Sequence, residues 1–213
     1  IKKSINTGFV QVGMRLGAER LINYAKAFGF GKATGVGLPG EESGLLFNPK
    51  DMTPPDVATM SIGQSIAVTP LQLITAMSSI ANKGQLLKPH IIKEIKNEDD
   101  SIFKQLSVEN VNQAITPEKA QELTMMLEKV VSEGGGKLAA VKGYRIAGKT
   151  GTAEKLNDNG VGYKAGHYIA SFCGFAPVEN PQVAVLVVLD DPDGKYYGGE
   201  IAAPIAGGIF EHV

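Results

Sequence analysis

Behind Ser4, Ile5, Asn6 and Thr7 the apolar residues Phe9, Val12, Leu16, Leu21, Ile22, Ala25 and Phe28 recur at helical spacing, and the pattern stops at Gly29 and Gly31. A first helix is expected there. The Gly/Pro-rich run at residues 35–40 is punctuation with little room for regular structure. Three start signals coincide at Thr69, Pro70 and Gln72: a capping hydroxyl, a proline at the first helical position and an amide that reaches back to the cap. Leu73, Ile74, Met77 and Ile80 continue this second helix to a stop at Gly84. Thr116 and Pro117 repeat the start, Leu123, Leu127, Val130 and Val131 carry it on, and Gly134, Gly135 and Gly136 end it. Between these two helices, residues 86–106 alternate short apolar pieces with charges, as in an exposed hairpin or small insertion, and Glu98, Asp99 and Asp100 read as a solvated turn. Beyond Gly136 the period changes to two. Strands are expected over 144–154, 168–176 and 183–189, joined by connectors that suit antiparallel neighbours, with residues 201–213 as a closing helix.

Composition narrows the function classes. A chain of 213 residues with 43% hydrophobic and 20% charged positions buries a sizeable core, and 26 glycines with 11 prolines make it rich in loops. Neither an internal repeat nor a composition shift calls for a second domain, so residues 1–213 read as one domain. A formal net charge of −1 leaves no basic surplus for nucleic acid or an anionic membrane. The single cysteine, Cys173, excludes an internal disulfide and a multi-cysteine zinc site, and it reads as a small core residue. His90, His167 and His212 are spaced for neither a metal site nor a catalytic triad, and Asp190 with Asp191 reads as a strand end and turn. The longest aliphatic run, residues 183–189, is far shorter than the roughly 20 residues a membrane span needs. Opening on Ile1, Lys2 and Lys3, without an initiator Met or a signal sequence, the chain is expected to start partway through a longer protein.

Residues 143–150 fit the phosphate-binding pattern G-x-x-x-x-G-K-[ST] letter for letter. The context argues against that nucleotide-binding alternative. A phosphate loop joins a buried strand to a long helix, whereas three glycines stand ahead of this motif and Gly151, Asn157, Asp158, Asn159 and Gly160 interrupt any helix behind it. As part of a strand, the same residues place Thr150 and Thr152 on one face, with Gly151 leaving the backbone open to close approach. Lys149, two hydroxyls and free edge amides then suit a substrate that carries a carboxylate. A three-residue word such as Lys-Thr-Gly is weak evidence by itself. Its company is Ser4, Ile5 and Asn6, an S-x-N triplet ahead of a helix, although spacing alone favours Ser4 as a helix cap and Asn6 as a turn residue.

With these words in this order, the chain from Ser4 onward resembles the transpeptidase domain of class B penicillin-binding proteins, as its C-terminal portion. The similarity includes residues 8–11, 35–40, 61–64, 69–73, 145–154, 174–177 and the tail from Gly198 and Gly199 to Pro204. The resemblance implies an α/β fold, an antiparallel sheet flanked by helices as in penicillin-binding proteins and serine β-lactamases, incomplete at the N-terminus. Strands ahead of the nucleophile complete the family's sheet, so this chain would supply only its last three. The implied activity is that of a serine-type D,D-transpeptidase of bacterial division, elongation or sporulation, which passes the acyl group of a D-Ala-D-Ala stem peptide to an amine and cross-links peptidoglycan. A β-lactam sensor or a β-lactamase of the same fold is the alternative.

By the same resemblance Ser4 would relay protons and Lys149 would hold Ser4 in place. Asn6 would bond the substrate's peptide amide, Thr150 and Thr152 its terminal carboxylate, and the Thr152 backbone N–H would supply half of an oxyanion hole, with Gly151 between them at the binding strand. The family's nucleophile lies in an S-x-x-K word upstream of S-x-N, and only three residues precede Ser4. Ser101 and Lys104 satisfy that spacing by chance, downstream of S-x-N and with no capped helix behind them. The chain alone is therefore expected to be inactive. The implied partners are stem peptides, β-lactam antibiotics and the upstream segment of the same protein, or a second copy at an unpaired strand edge, with no nucleic acid, metal or organic cofactor. The implied location is the extracytoplasmic face of the bacterial membrane, anchored by an upstream segment.

Overall fold

The structure, a computed structural model, describes residues 1–158 and 162–213. Helix α1 (Asn6–Ala27) follows the predicted spacing, but Gly17 sits at φ 77°, ψ 166° and breaks it into two pieces. The apolar spacing on both sides is helical, so periodicity alone could not reveal this break. Helix α2 (Pro54–Met60) starts with a capping box between Thr53 and Asp56, and α1 lies close against it at Gly13, where a Cβ would overlap the Ser61 side chain. Helix α3 (Pro70–Ala81) has the expected box: the Thr69 hydroxyl accepts from the Gln72 N–H at 3.1 Å and the Gln72 carboxamide accepts from the Thr69 N–H at 2.9 Å. Gln72 is 1% exposed, and its Nε2 also donates to Lys32 O and Ser43 O at 2.8 and 2.9 Å. One side chain thus pins the loop of residues 32–43 onto α3.

The insertion contains two small antiparallel pairs. Strands β2 (Glu94–Lys96) and β3 (Ile102–Gln105) form the expected hairpin around the turn at Glu98 and Asp99. Strands β1 (Gln85–Leu87) and β4 (Asn110–Gln113), which flank it in sequence, pair with each other. Helix α4 (Pro117–Glu133) then runs from the Thr116 cap to Gly134.

The main sheet has the antiparallel order β5–β6–β7, from β5 (Ala147–Leu156), β6 (Tyr163–Ala176) and β7 (Val183–Asp190). Strand β5 begins three residues later than predicted. Gly143 at φ 91° and the Tyr144 N–H bonded to Val141 O make a turn there, and Arg145 O is taken by the Val178 N–H. Strand β6 begins five residues earlier than predicted, because Tyr163 pairs with Leu156 and prolongs the hairpin. Strand β5 runs straight through Lys149 and Thr150 to Leu156, so no helix follows the phosphate-loop pattern and the nucleotide-binding alternative is rejected. Asn159 and Gly160, cited against it above, lie outside the described residues.

Helix α5 (Gly198–His212) covers one face of the sheet and α3 with α4 cover the other. The two-residue period of β6 explains the division. Phe172 joins Val185, Val187, Ala202, Ala203, Ala206 and Phe210 on one face, whereas Cys173 and Phe175 join Ala147, Met77 and Leu127 on the other. Phe172 is fully buried, and a Cβ at Gly148, Gly174 or Gly136 would lie 2.4, 2.9 or 3.3 Å from its ring. The absence of side chains at those glycines is what admits the ring. Cys173 is 4% exposed and its burial pushes the thiol up to about 12, which makes it inert core, as its sequence context implied. No helix among the described residues is long and apolar enough to cross a membrane.

Candidate active site

Strand β5 is an edge of the main sheet among the described residues, so one row of its backbone groups is outside the ladder. The register places Lys149 opposite Cys173, on the α3 and α4 face, and Thr150 and Thr152 opposite Phe172 and Ala170, on the α5 face. The two threonines share a face, as the strand period required. Lys149 reaches away from them to the start of α1, where its Nζ donates to Ser4 Oγ at 2.9 Å and to its own neighbour's carbonyl, Thr150 O, at 2.7 Å. Burial disfavours the ammonium form and lowers the Lys149 pKa below its ordinary value. A partly desolvated amine against a serine hydroxyl is suited to passing a proton along that contact.

Ser4 is exposed and held at φ 49° in a turn closed by its N–H on Ile1 O at 3.0 Å. It is not the helix cap. Ile5 occupies that position and makes no side-chain cap, and Asn6 is the first residue of α1, exposed beside the Ser4–Lys149 contact in sequence and so excluded from a turn role. Thr152 Oγ1 accepts from the Gly198 N–H at 3.1 Å, which ties the strand to the start of α5. A Cβ on Gly151 would lie 2.4 Å from Ser171 Oγ, and one on Gly198 would lie 2.2 Å from Gly151 O. The close approach anticipated at Gly151 is thus made by the neighbouring strand and by the first turn of α5. At the head of β5, Arg145 bonds both carboxylate oxygens of Glu128 on α4, at 2.6 and 2.7 Å, and Glu179 at 2.8 Å. That fork fixes the strand to α4, and its hydrogen bonds hold the Glu128 carboxyl below the usual range.

An aromatic stack beside these residues was not foreseen. Tyr168, two positions before Ala170 on the Thr152 face, stacks on Tyr196 with ring centroids 4.0 Å apart, and Tyr196 meets Tyr197 at 4.5 Å. Tyr197 immediately precedes Gly198, the donor to Thr152. A hydrogen bond to Tyr197 pushes the Tyr196 phenol up to about 12, so it stays a neutral donor. The adjacent pair Tyr196 and Tyr197 is the only local signal, and only the register of β6 brings Tyr168 to it.

The remaining residues with tempting chemistry are elsewhere. Ser101 sits in the exposed hairpin turn with its hydroxyl donating to Asp99, and Lys104 follows on a strand instead of a helix. His167 Nδ1 bonds Asp191 at 2.7 Å, and His212 Nδ1 meets Gly208 O at 2.7 Å. Among the described residues no group of three or more His, Cys, Asp or Glu side chains could hold a metal ion.

Comparison with known proteins shows the family. Residues 1–211 match the family model described as the penicillin binding protein transpeptidase domain. The chain is 43% identical to stage V sporulation protein D of Bacillus subtilis, over 98% of this chain and 32% of that protein. It is 36% identical to the peptidoglycan D,D-transpeptidase FtsI of Escherichia coli, over 98% of this chain and 34% of that protein. The chain therefore spans about a third of the length of the curated relatives it matches. The crystal structure of penicillin binding protein 3 from Mycobacterium tuberculosis complexed with aztreonam superimposes with a TM-score of 0.89 at 32% identity, covering 99% of this chain and 49% of that one.

Proposed function

We propose, from the premise that this chain belongs to the penicillin-binding protein transpeptidase family, that residues 1–213 are part of the transpeptidase domain of a longer peptidoglycan D,D-transpeptidase. The observation that carries this reading is the 2.9 Å hydrogen bond from Lys149 Nζ to Ser4 Oγ, which joins the S-x-N and K-T-G words across 145 positions of sequence. The nucleophilic serine of S-x-x-K lies upstream of S-x-N in the same protein. Its oxygen attacks the penultimate D-alanine carbonyl, an ester forms, and the terminal D-alanine leaves as the amine once it has gained a proton. An amine from a second stem peptide then attacks the ester, loses its proton and restores the serine. Ser4 carries these protons between the catalytic pair and the departing or arriving amine, with Lys149 holding its hydroxyl.

Asn6 bonds the peptide amide, Thr150 and Thr152 receive the terminal carboxylate, and Gly151 between them lets Ser171 and the first turn of α5 pack against the binding strand. The backbone N–H of Thr152 points at the developing oxyanion. Its second donor is the backbone of the nucleophile, and the loss of one such donor typically costs about a hundred- to a thousandfold in rate. The tyrosine stack at Thr152 forms an apolar wall for the substrate's side chain or the acyl side chain of a β-lactam. The whole protein works outside the cytoplasmic membrane, anchored by its upstream segment, in division, elongation or sporulation.

Fluorescent penicillin tests this. The complete protein is expected to give a stable labelled band on denaturing electrophoresis, whereas the isolated chain gives none at 22.5 kDa. A labelled band from the chain alone, abolished by Ser101→Ala, would return the nucleophile to Ser101. Rapid release of label by the complete protein would favour a β-lactamase over a transpeptidase.

The upstream segment is also the proposed partner of β7. That strand is the far edge of the sheet among the described residues, and its side chains Val185 and Val187 are already packed under α5. Its outer row of backbone groups is a template for strand addition. Sedimentation of the purified chain is expected to show self-association or aggregation, and a monomer at high micromolar concentration would count against a strand partner.

A further inference from the structure

The three-glycine loop behind α4 lies between the parts of the site. At Gly134 the backbone angles, φ −112° and ψ −154°, are open to any residue, so its need for glycine is spatial. A Cβ there would lie 2.5 Å from Lys2 O and 2.8 Å from Val130 O, and neither backbone atom can swing aside. The next residue, Gly135, donates its N–H to the same Lys2 O at 3.5 Å, and Glu133 pairs with the Lys2 ammonium. Two residues further on, the tight turn that starts at Ile1 delivers Ser4 to Lys149. The opposite side of the loop meets α5: a Cβ on Gly199 would lie 2.3 Å from Gly135 O and 3.6 Å from the Thr150 methyl group. One wall of backbone therefore touches both the segment that carries Ser4 and the start of the helix that lies on the Lys149 strand.

We propose that Gly134 and Gly199 are positioning residues that set the Ser4–Lys149 contact through this loop, an inference that rests on the transpeptidase reading of the site. A methyl group at Gly134 pushes Lys2, and with it Ser4, away from the strand. A methyl group at Gly199 presses the same loop from the α5 side. Thr150 and Thr152 keep their hydroxyls in both cases, so carboxylate capture is largely retained while the proton path lengthens.

The test is the kinetics of penicillin acylation in the complete protein. For Gly134→Ala and Gly199→Ala the first-order acylation constant at saturating penicillin is expected to fall about tenfold or more, since misplacement by about 1 Å can cost a hundredfold. The half-saturating concentration is expected to stay within about twofold of wild type, as for a loss confined to the chemical step. Gly208→Ala, on the part of α5 where a Cβ meets nothing within 4 Å, is expected to behave as wild type. A merely structural role would lower the fraction of protein labelled at completion and leave the rate constant of that fraction unmoved. Should either alanine variant fail to fold, Glu133→Gln decides the matter: it removes an exposed ion pair to Lys2 and is expected to lower the rate constant by about twofold. Wild-type rate constants in the folded variants overturn the inference and leave the transpeptidase reading standing. A complete wild-type protein that takes no label overturns that reading instead.

Discussion

Lys149→Ala, made in the complete protein, is expected to slow acylation by penicillin about a hundred- to ten-thousandfold, the range associated with removal of a positioned proton-transfer group. Lys149 is the cation that reaches Ser4, and its hydrogen bonds to Ser4 Oγ and Thr150 O leave both acceptors without that donor when it is truncated. Burial holds its pKa below the ordinary value, so the alkaline limb on which this cation loses its proton should lie at lower pH than for a free lysine, and no mutant lacking the ammonium group should show that limb. Thr152→Val makes the contrast. It deletes a hydroxyl that accepts from the Gly198 N–H and is proposed to bind the carboxylate, yet it leaves the backbone N–H in place, so its loss should be smaller and appear mainly in the half-saturating concentration. Stopped-flow acylation of the two variants beside wild type measures this. Equal rates for wild type and Lys149→Ala would sink the assignment of Lys149.

Phe172→Ala should be the most damaging change to the fold, with a loss of about 3–5 kcal/mol and a fall in the unfolding temperature on the order of ten degrees. The ring is fully buried, and it occupies the space left by Gly136, Gly148 and Gly174 as well as the layer under α5. Backbone surrounds much of the cavity that truncation would leave, and backbone cannot collapse into it as side chains do. Gly148→Ala attacks the same contact from the other side, because its Cβ would lie 2.4 Å from the ring, and overpacking of that kind typically costs about 1–3 kcal/mol. Gly148 immediately precedes Lys149, so this second variant should slow acylation too. Calorimetry of the complete protein reads both, and an unfolding temperature for Phe172→Ala within two degrees of wild type would show that the face under α5 repacks.

Most element identities were legible because their causes are local. The Thr69–Gln72 box closes within four residues, the Thr116–Pro117 start needs only its own turn, and the alternation of Phe172 with Cys173 assigns each to a face before any neighbour is known. Two elements depart from the local pattern for different reasons. Gly17 breaks α1 through a left-handed angle that the continuing apolar spacing does not register, and β5 starts late because Arg145 O is bonded by Val178, more than thirty residues away. The aromatic stack was missed because Tyr168 and Tyr196 are adjacent only through the register of β6 and the entry into α5.

By itself, the sequence determined the family and the antiparallel character of the last strands, and it supplied the candidate residues of the proposed site, because capping, strand period and motif order depend on neighbours along the chain. It also placed Thr150 and Thr152 on a common face, since that follows from the two-residue period alone. Tertiary structure decided that Lys149 turns to the opposite face and reaches Ser4, that Ser171 and the start of α5 close on Gly151, and that Gly134 stands against Lys2. Those contacts join positions tens to more than a hundred residues apart, and their distances are set by how α4, α5 and the sheet pack together, which no spacing within a single element encodes.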